Sequence, residues 1–406
     1  MNPKLRPIRA QPFTHEGKKG ILIEDPLRLS QKAIFVPGSL AALLALLDGS
    51  RDVGTIKTGF ELRTGLFISP QVVTEVLAEL DEALLLDNER FADAYRMAVD
   101  SFREATSRPP TMMGLGCPSD SEELRSLLAG YVCQVDSELL DSSGWITGLI
   151  SPHIDFYRGG RTYAQVWSRA ALTAREAELV VIFGTDHNGD DSELTLTRQN
   201  YATPWGVLPT ARDLVDDYSR AVGETKAFGR EFNHRHEHSV ESAAIWLHYF
   251  LEGAGCQVLP VLCGTFHEFV SSGQSPTQSD SIEAMIDLVS RARETRRTLV
   301  VAAADLAHIG PAFGDELPVD LPGRSALAQA DQRLLQTIKE VDAEGMMRDV
   351  QSDGDRRRIC GLAPIYLTLS LMAGSAGFIT GYEQCPASSD GSSLVSICGA
   401  TFHAEI

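Results

Sequence analysis

The chain has 406 residues, 43% apolar and 22% charged, a composition that excludes disordered and fibrous classes and sets two domains as the starting expectation. A formal net charge of −19 argues against nucleic acid as a main partner, because duplex binding needs Lys and Arg to neutralise phosphates. No apolar run reaches the ~18–20 residues that span a bilayer, and residues 1–20 are polar without a signal-type apolar stretch, so a cytoplasmic protein with no membrane partner is expected.

In chain order, Ile21–Ile23 and Ala33–Val36 predict short strands. Leu40 to Leu47 carries apolar residues at helical spacing and stops at Asp48-Gly49-Ser50. Pro70 to Leu86 predicts an amphipathic helix, with Val72, Val73, Val76, Leu77, Leu80 and Leu84 on one face, and "LLLDNERF" predicts a strand and turn after it. Together these elements predict a small winged-helix domain over residues 1–105. The turn "LLDGSRDVGTI" resembles one that recurs in the PqqD-like fold. That resemblance implies a peptide- or partner-binding module; a generic winged helix used only for docking or packing stays open beside it.

From Ser107 to Pro118 the chain gathers Pro, Gly and Ser and reads as a linker. Ser119–Ser121 are placed to N-cap a helix over Glu122 to Tyr131. A second domain, 106–406, takes up the remainder.

In that second domain four apolar runs each end within a few residues of a histidine: "WITGLISPH" at His153, "ELVVIFGTDH" at His187, "QVLPVLCGTFH" at His267 and "TLVVAAADLAH" at His308. Near-continuous β-branched runs read as strands buried on both faces, and helical segments such as Tyr163–Ala174 and Ser239–Leu251 supply the crossovers. The expected fold is therefore α/β, with a mostly parallel central sheet flanked by helices. Ligand clefts in such sheets lie beyond the carboxyl ends of the strands, so the pattern sets several imidazoles on one rim. The chain has ten His; three more, His234, His236 and His238, crowd "NHRHEHSVE" just before a helix. Neutral imidazole serves equally as metal ligand or as acid–base group, and both uses stay open at this point. The seven Cys are scattered without a CxxC pair and read as free thiols. Glycine-rich phosphate loops are absent from any strand–helix context. The basic runs Arg291–Arg297 and Arg356–Arg358 read as solvated helix faces or local anion contacts.

At these residues the chain resembles the Memo family, including the proteins called AmmeMemoRadiSam system protein B. The resemblance runs in order through "PHIDFYRGG", "GTDHNG", "YATPWGVLPT", "RHEHSVE", "LPVLCG", "AADLAHIG", "RICGLAPI" and "YEQCPASSDGSSLVSICG". It implies a fold related to class III extradiol dioxygenases, which hold non-haem iron with two His and a carboxylate. It also implies a pocket made of His153, His187, Asp305, His308 and Cys360 as metal residues, with His238 lining the same cleft. Ile154-Asp155 and Asn188 depart from the family pattern; Asp155 and Asp186 add acid beside two candidate ligands, tightening metal binding or orienting imidazoles. Trp205 and Leu306 suggest a reshaped pocket wall. His267 has no counterpart in the family pattern and is expected to be structural or superficial.

Three chemistries follow. The first is a transition metal, iron first and copper or zinc next, because a thiolate at Cys360 is softer than a carboxylate; His238 and His308 would then act as acid–base groups in oxidoreductase chemistry on a small molecule. The second is nucleophilic attack by Cys360 with His308 or His187 as base and Asp305 orienting the imidazole. The third is a vestigial pocket, with the protein serving as an adaptor that binds a peptide or a radical-SAM partner protein.

Overall fold

A computed structural model describes residues 2–140, 145–189 and 194–404. The chain divides into two compact units, Met1–Glu104 and Ala105–Ile406. Among the described residues no helix is long and apolar enough to cross a membrane.

In the first unit, β1 (Arg9–His15), β2 (Lys18–Glu24) and β3 (Ile34–Pro37) form an antiparallel sheet in that order. Helices Ala41–Leu44, Val53–Thr64, Pro70–Glu82 and Glu89–Glu104 complete it. Ile23, Val36, Ile56, Phe60, Val73 and Leu80 make its core, each fully buried side chain of this kind contributing about 1.5–3 kcal/mol. The result is a small antiparallel sheet with helices, and not specifically the winged helix expected. Two differences have local causes. The stretch after Asp48-Gly49-Ser50 starts a helix, because Asp52 caps it by accepting from Thr55 N at 2.7 Å. The expected strand in "LLLDNERF" is one bridge, Leu86 to Leu5. Asn88 Oδ1 then accepts from Phe91 N at 3.1 Å, and the chain turns helical.

The second unit opens with β4 (Ser107–Arg108), followed by β5 (Ile146–Ser151), β6 (Leu179–Thr185), β7 (Leu194–Leu196), β8 (Asn200–Thr203) and β9 (Gly206–Leu208). Then come β10 (Gln257–Cys263), β11 (Thr298–Ala303), β12 (His308–Ile309), β13 (Ser375–Pro386) and β14 (Leu394–Ala404). The large sheet has eight strands among the described residues, ordered β12-β14-β5-β11-β6-β10-β7 with β13 beside β14. Only β5, β11, β6 and β10 run parallel to their neighbours. The sheet is thus mixed rather than mostly parallel: residues 375–404 fold as the long β13–β14 hairpin, and β14 returns antiparallel along β5.

Leu179, Val181 and Phe183 of β6 face one core while Val180 and Ile182 face the other. Burial on both faces is why its sequence shows no polar alternation. Helices Phe156–Arg169 and Ser239–Leu251 cover one face, Asp280–Thr295 and Leu362–Leu371 the other. The stretch read as a linker is anchored instead. β4 pairs with β8, and Arg108 is fully buried. Within the stretch Ser119–Ser121 it is Asp120 that caps the next helix, Ser121–Val132, accepting from Glu122 N and Glu123 N at 2.9 Å.

Candidate metal centre

Parallel strands β5, β11 and β6 end side by side, so the two residues that follow each one emerge on a common rim. His153, Asp305 and His187 all sit two positions past their strands. From a turn just before helix Ser239–Leu251, His238 joins them. Ligand atoms of His153, His187 and His238 all lie within 4.8 Å of one another. His187 and His238 stack, with ring centroids 4.8 Å apart and planes at 17°. His153 stands edge-on to both, at 5.0 and 5.5 Å.

Each of these rings has its Nδ1 against an oxygen. His153 Nδ1 lies 2.9 Å from Ala303 O, His187 Nδ1 lies 3.0 Å from Glu237 Oε1, and His238 Nδ1 lies 3.2 Å from that same oxygen. An oxygen partner at Nδ1 orients each ring and leaves Nε2 as the nitrogen that can turn to a ligand. Glu237 is fully engaged: its carboxylate also accepts from the amides of His187, His238 and Ser239 at 2.7–3.0 Å. Burial would raise its pKa, but His187 and His238 outweigh that and hold the carboxyl well below its usual range.

Asp305 works from below. Its Oδ1 accepts from the amides of His153 and Ile154 at 2.8 and 3.2 Å, and its Oδ2 lies 3.7 Å from His153 Nε2. Burial disfavours a charged His153, yet Asp305 and Cys360 outweigh it and push the imidazole up to about 9. The thiol of Cys360 lies 3.3 Å from His153 Nε2. Burial works to raise that thiol, and the His153 and His308 imidazoles reverse it, holding the group well below the ordinary cysteine range.

His308 is not one of the three clustered rings. Its Nδ1 meets Leu306 O at 3.1 Å and its ring packs edge-on to Phe313 at 5.0 Å. The two extra acids do not orient imidazoles. Asp155 caps helix Phe156–Arg169 and pairs with Arg158 at 2.5 Å. Asp186 accepts from Asn188 N at 3.0 Å and Asn233 Nδ2 at 2.8 Å, bracing the turn. Trp205 packs on His248 and Tyr249, about 15 Å along the helix from His238, and Leu306 is core. His234 is also structural: fully buried between Tyr201 Oη at 2.6 Å and Thr195 O at 3.0 Å, it is pushed down by burial to about 3. His267 is exposed, as expected of a superficial residue, and yet it lines the cavity described next.

That cavity, about 500 Å³, opens beside the imidazoles. His187 and Cys360 form one wall; Phe266, Ile359, Leu362 and Ala363 give it an apolar floor, with His267, Arg358, Asp186 and Asp355 around it. Arg358 is tied to Asp315 and to His308 O.

The donor set is chemically suited to a transition metal. Three imidazole nitrogens with a thiolate alongside suit iron, copper or zinc rather than magnesium or calcium, which take oxygen ligands.

Fold and rim together define a mixed α/β protein with an imidazole cluster on the carboxyl edge of its central sheet. Residues 108–401 match the Memo-like protein family, and the chain belongs to that family. A MEMO1 family protein of Aquifex aeolicus is 26% identical over 377 residues, 92% of this chain and 91% of that protein. Similarity over that share extends into the N-terminal unit. A MEMO1 family protein of Methanosarcina acetivorans is 26% identical over 265 residues, 65% of this chain and 85% of the relative. One from Pyrococcus horikoshii is 24% identical over 251 residues, 60% and 80% respectively.

Glu237 is the functional residue that sequence reasoning passed over. Its signal was present: an acid flanked by His236 and His238 in a segment of that charge density has to be paired if it is buried.

Proposed function

We propose that this chain is a metal-binding protein whose His153, His187 and His238 hold one transition metal through Nε2, with Cys360 as an adjacent thiolate ligand. Iron is the first candidate, copper or zinc the next. The observations that carry the reading are the ligand atoms of the three imidazoles within 4.8 Å of one another and an oxygen partner beside each Nδ1. His238 joins the ligand set, and Glu237 is the acceptor that orients two of the three rings. Asp305 holds the main chain of His153, and His308 supports the site from outside the ligand set.

A bound metal would supply Lewis-acid or redox chemistry of the kind class III dioxygenases use, to which the family resemblance pointed. The cavity beside it offers an apolar floor for a small organic substrate, with the exposed His267 at its lining for a polar group. Elemental analysis of anaerobically purified protein tests the reading. One iron, copper or zinc per chain that is lost in His187→Ala and His238→Ala is expected. No metal in the wild type would sink it and favour the second reading, in which Cys360 is a nucleophile activated by His153 at 3.3 Å.

For the N-terminal unit we propose partner binding of the PqqD-like kind, with a radical-SAM protein or its peptide substrate as occupant. Leu62, Leu66 and Phe67 support this, since they are exposed together at one helix end. Leu62→Asp with Phe67→Asp should abolish co-purification of such a partner; its retention would remove the case.

A further inference from the structure

The guanidinium of Arg108 is fully buried and grips the segment that delivers Glu237 and His238. Its Nε donates to His234 O at 2.8 Å and its Nη2 to Glu237 O at 2.6 Å, so one planar group holds both ends of a tight turn. Nη1 pairs with Glu241 Oε2 at 2.6 Å, and Nη2 also reaches Thr111 Oγ1 at 3.1 Å. Glu241, equally buried, accepts from the amides of Thr111 and Met112 at 2.7 and 2.9 Å and from Thr111 Oγ1 at 2.8 Å. The guanidinium lies 5.2 Å from the centre of the Tyr201 ring, whose hydroxyl meets His234 Nδ1 at 2.6 Å.

A charge pair this deep is no simple aid to stability, because desolvation offsets much of its attraction and an apolar pair of equal volume often serves as well. What the ions do here that an apolar pair does not is fix two carbonyls in place. Glu237 is thereby held twice: its carbonyl by Arg108, its carboxylate by the rings of His187 and His238 and by three amides. A shift of that peptide moves the acceptor of two imidazoles at once.

We propose that Arg108, neutralised by Glu241, is a positioning residue for the imidazole cluster, setting the turn 234–238 so that His238 meets His187 and His153 at ligand spacing while Glu237 meets His187 and His238. This rests on the metal-binding reading above. Arg108 touches none of the three rings and acts through the main chain. Lysine keeps the charge but lacks the fork that reaches four acceptors together.

The test is titration with Co(II), whose visible absorption reports coordination geometry, on wild type, Arg108→Lys and the double variant Arg108→Met with Glu241→Leu. The double variant removes both charges without stranding either one. Expected are one Co(II) per wild-type chain and, in both variants, affinity about 10–100-fold weaker with an altered visible spectrum, while a cooperative melt shows that the double variant is folded. Folded variants that bind Co(II) with wild-type affinity and spectrum overturn the proposal and leave the pair a purely structural one. Should the double variant not fold, Arg108→Lys decides alone by the same two readouts. A wild type that takes no Co(II) overturns the metal reading itself, and the positioning role with it.

Discussion

The thiol of Cys360 lies 3.3 Å from Nε2 of His153 across 207 residues of chain. Asp305 joins the two. Its side chain accepts from the amides of His153 and Ile154, and its main-chain oxygen accepts from Gly361 N at 3.0 Å. Only a glycine permits this approach, since a Cβ at position 361 would come within 2.4 Å of that oxygen.

This contact makes Cys360 an unusual thiol. With metal removed by chelator, iodoacetamide modification of Cys360 through the cavity should fall off much less from pH 8 to pH 6 than for an ordinary thiol, because the His153 and His308 imidazoles hold the group well below the usual cysteine range. Cys263 and Cys398, whose pKa values burial raises, should stay unmodified. Peptide mass mapping reads the rates. A rise of about tenfold per pH unit at Cys360 over that range would show an ordinary thiol.

Glu237→Gln keeps the shape of the side chain but turns one of its acceptor oxygens into a donor facing amides and imidazoles. Metal affinity should fall about 10–100-fold, measured by competition with a chromophoric chelator. Unchanged affinity would remove Glu237 from the orienting role.

The pH dependence of stability carries a sign that can be worked out at His153. Its imidazole is pushed up to about 9, above an unfolded value of roughly 6.5. Protonation therefore stabilises the fold fully below about pH 6.5, and the contribution is lost as pH rises toward 9. Urea midpoints of chelator-treated protein should decline over that window, and His153→Gln should flatten the decline. A slope that the variant shares with wild type would locate the titration elsewhere.

Arg357 sits in a buried acidic ring, 2.7 Å from Asp349, 3.1 Å from Asp353 and 3.5 Å from Asp331. Arg357→Met strands those carboxylates and should cost about 3–5 kcal/mol in urea unfolding. Arg220→Ala, which removes an exposed partner of Asp217, should cost about 0–1 kcal/mol. Equal losses would mean that burial is not what makes the Arg357 pairs matter.

Much of the rim was legible. Apolar runs ending in Ser151, Thr185 and Ala303 had to be doubly buried strands, and helices between them had to carry the chain back over the sheet. Residues two positions beyond each strand, His153, His187 and Asp305, then share an edge. The antiparallel C-terminal hairpin was not legible, because long-range pairing of β14 with β5 leaves no local mark. Nor were the helices at Val53–Thr64 and Glu89–Glu104, which depend on single capping side chains, Asp52 and Asn88.

By itself, then, the sequence determined the α/β class of the larger unit and the strand ends on which imidazoles stand, since periodicity and burial are local properties of the chain. Only the tertiary structure decided which groups meet. His238 comes in from a turn clamped by Arg108, Glu237 bridges two rings, Cys360 arrives from a distant loop, and His308 packs edge-on to Phe313. Those distances depend on how strands are ordered and how turns are packed, and residue spacing along a chain does not encode either.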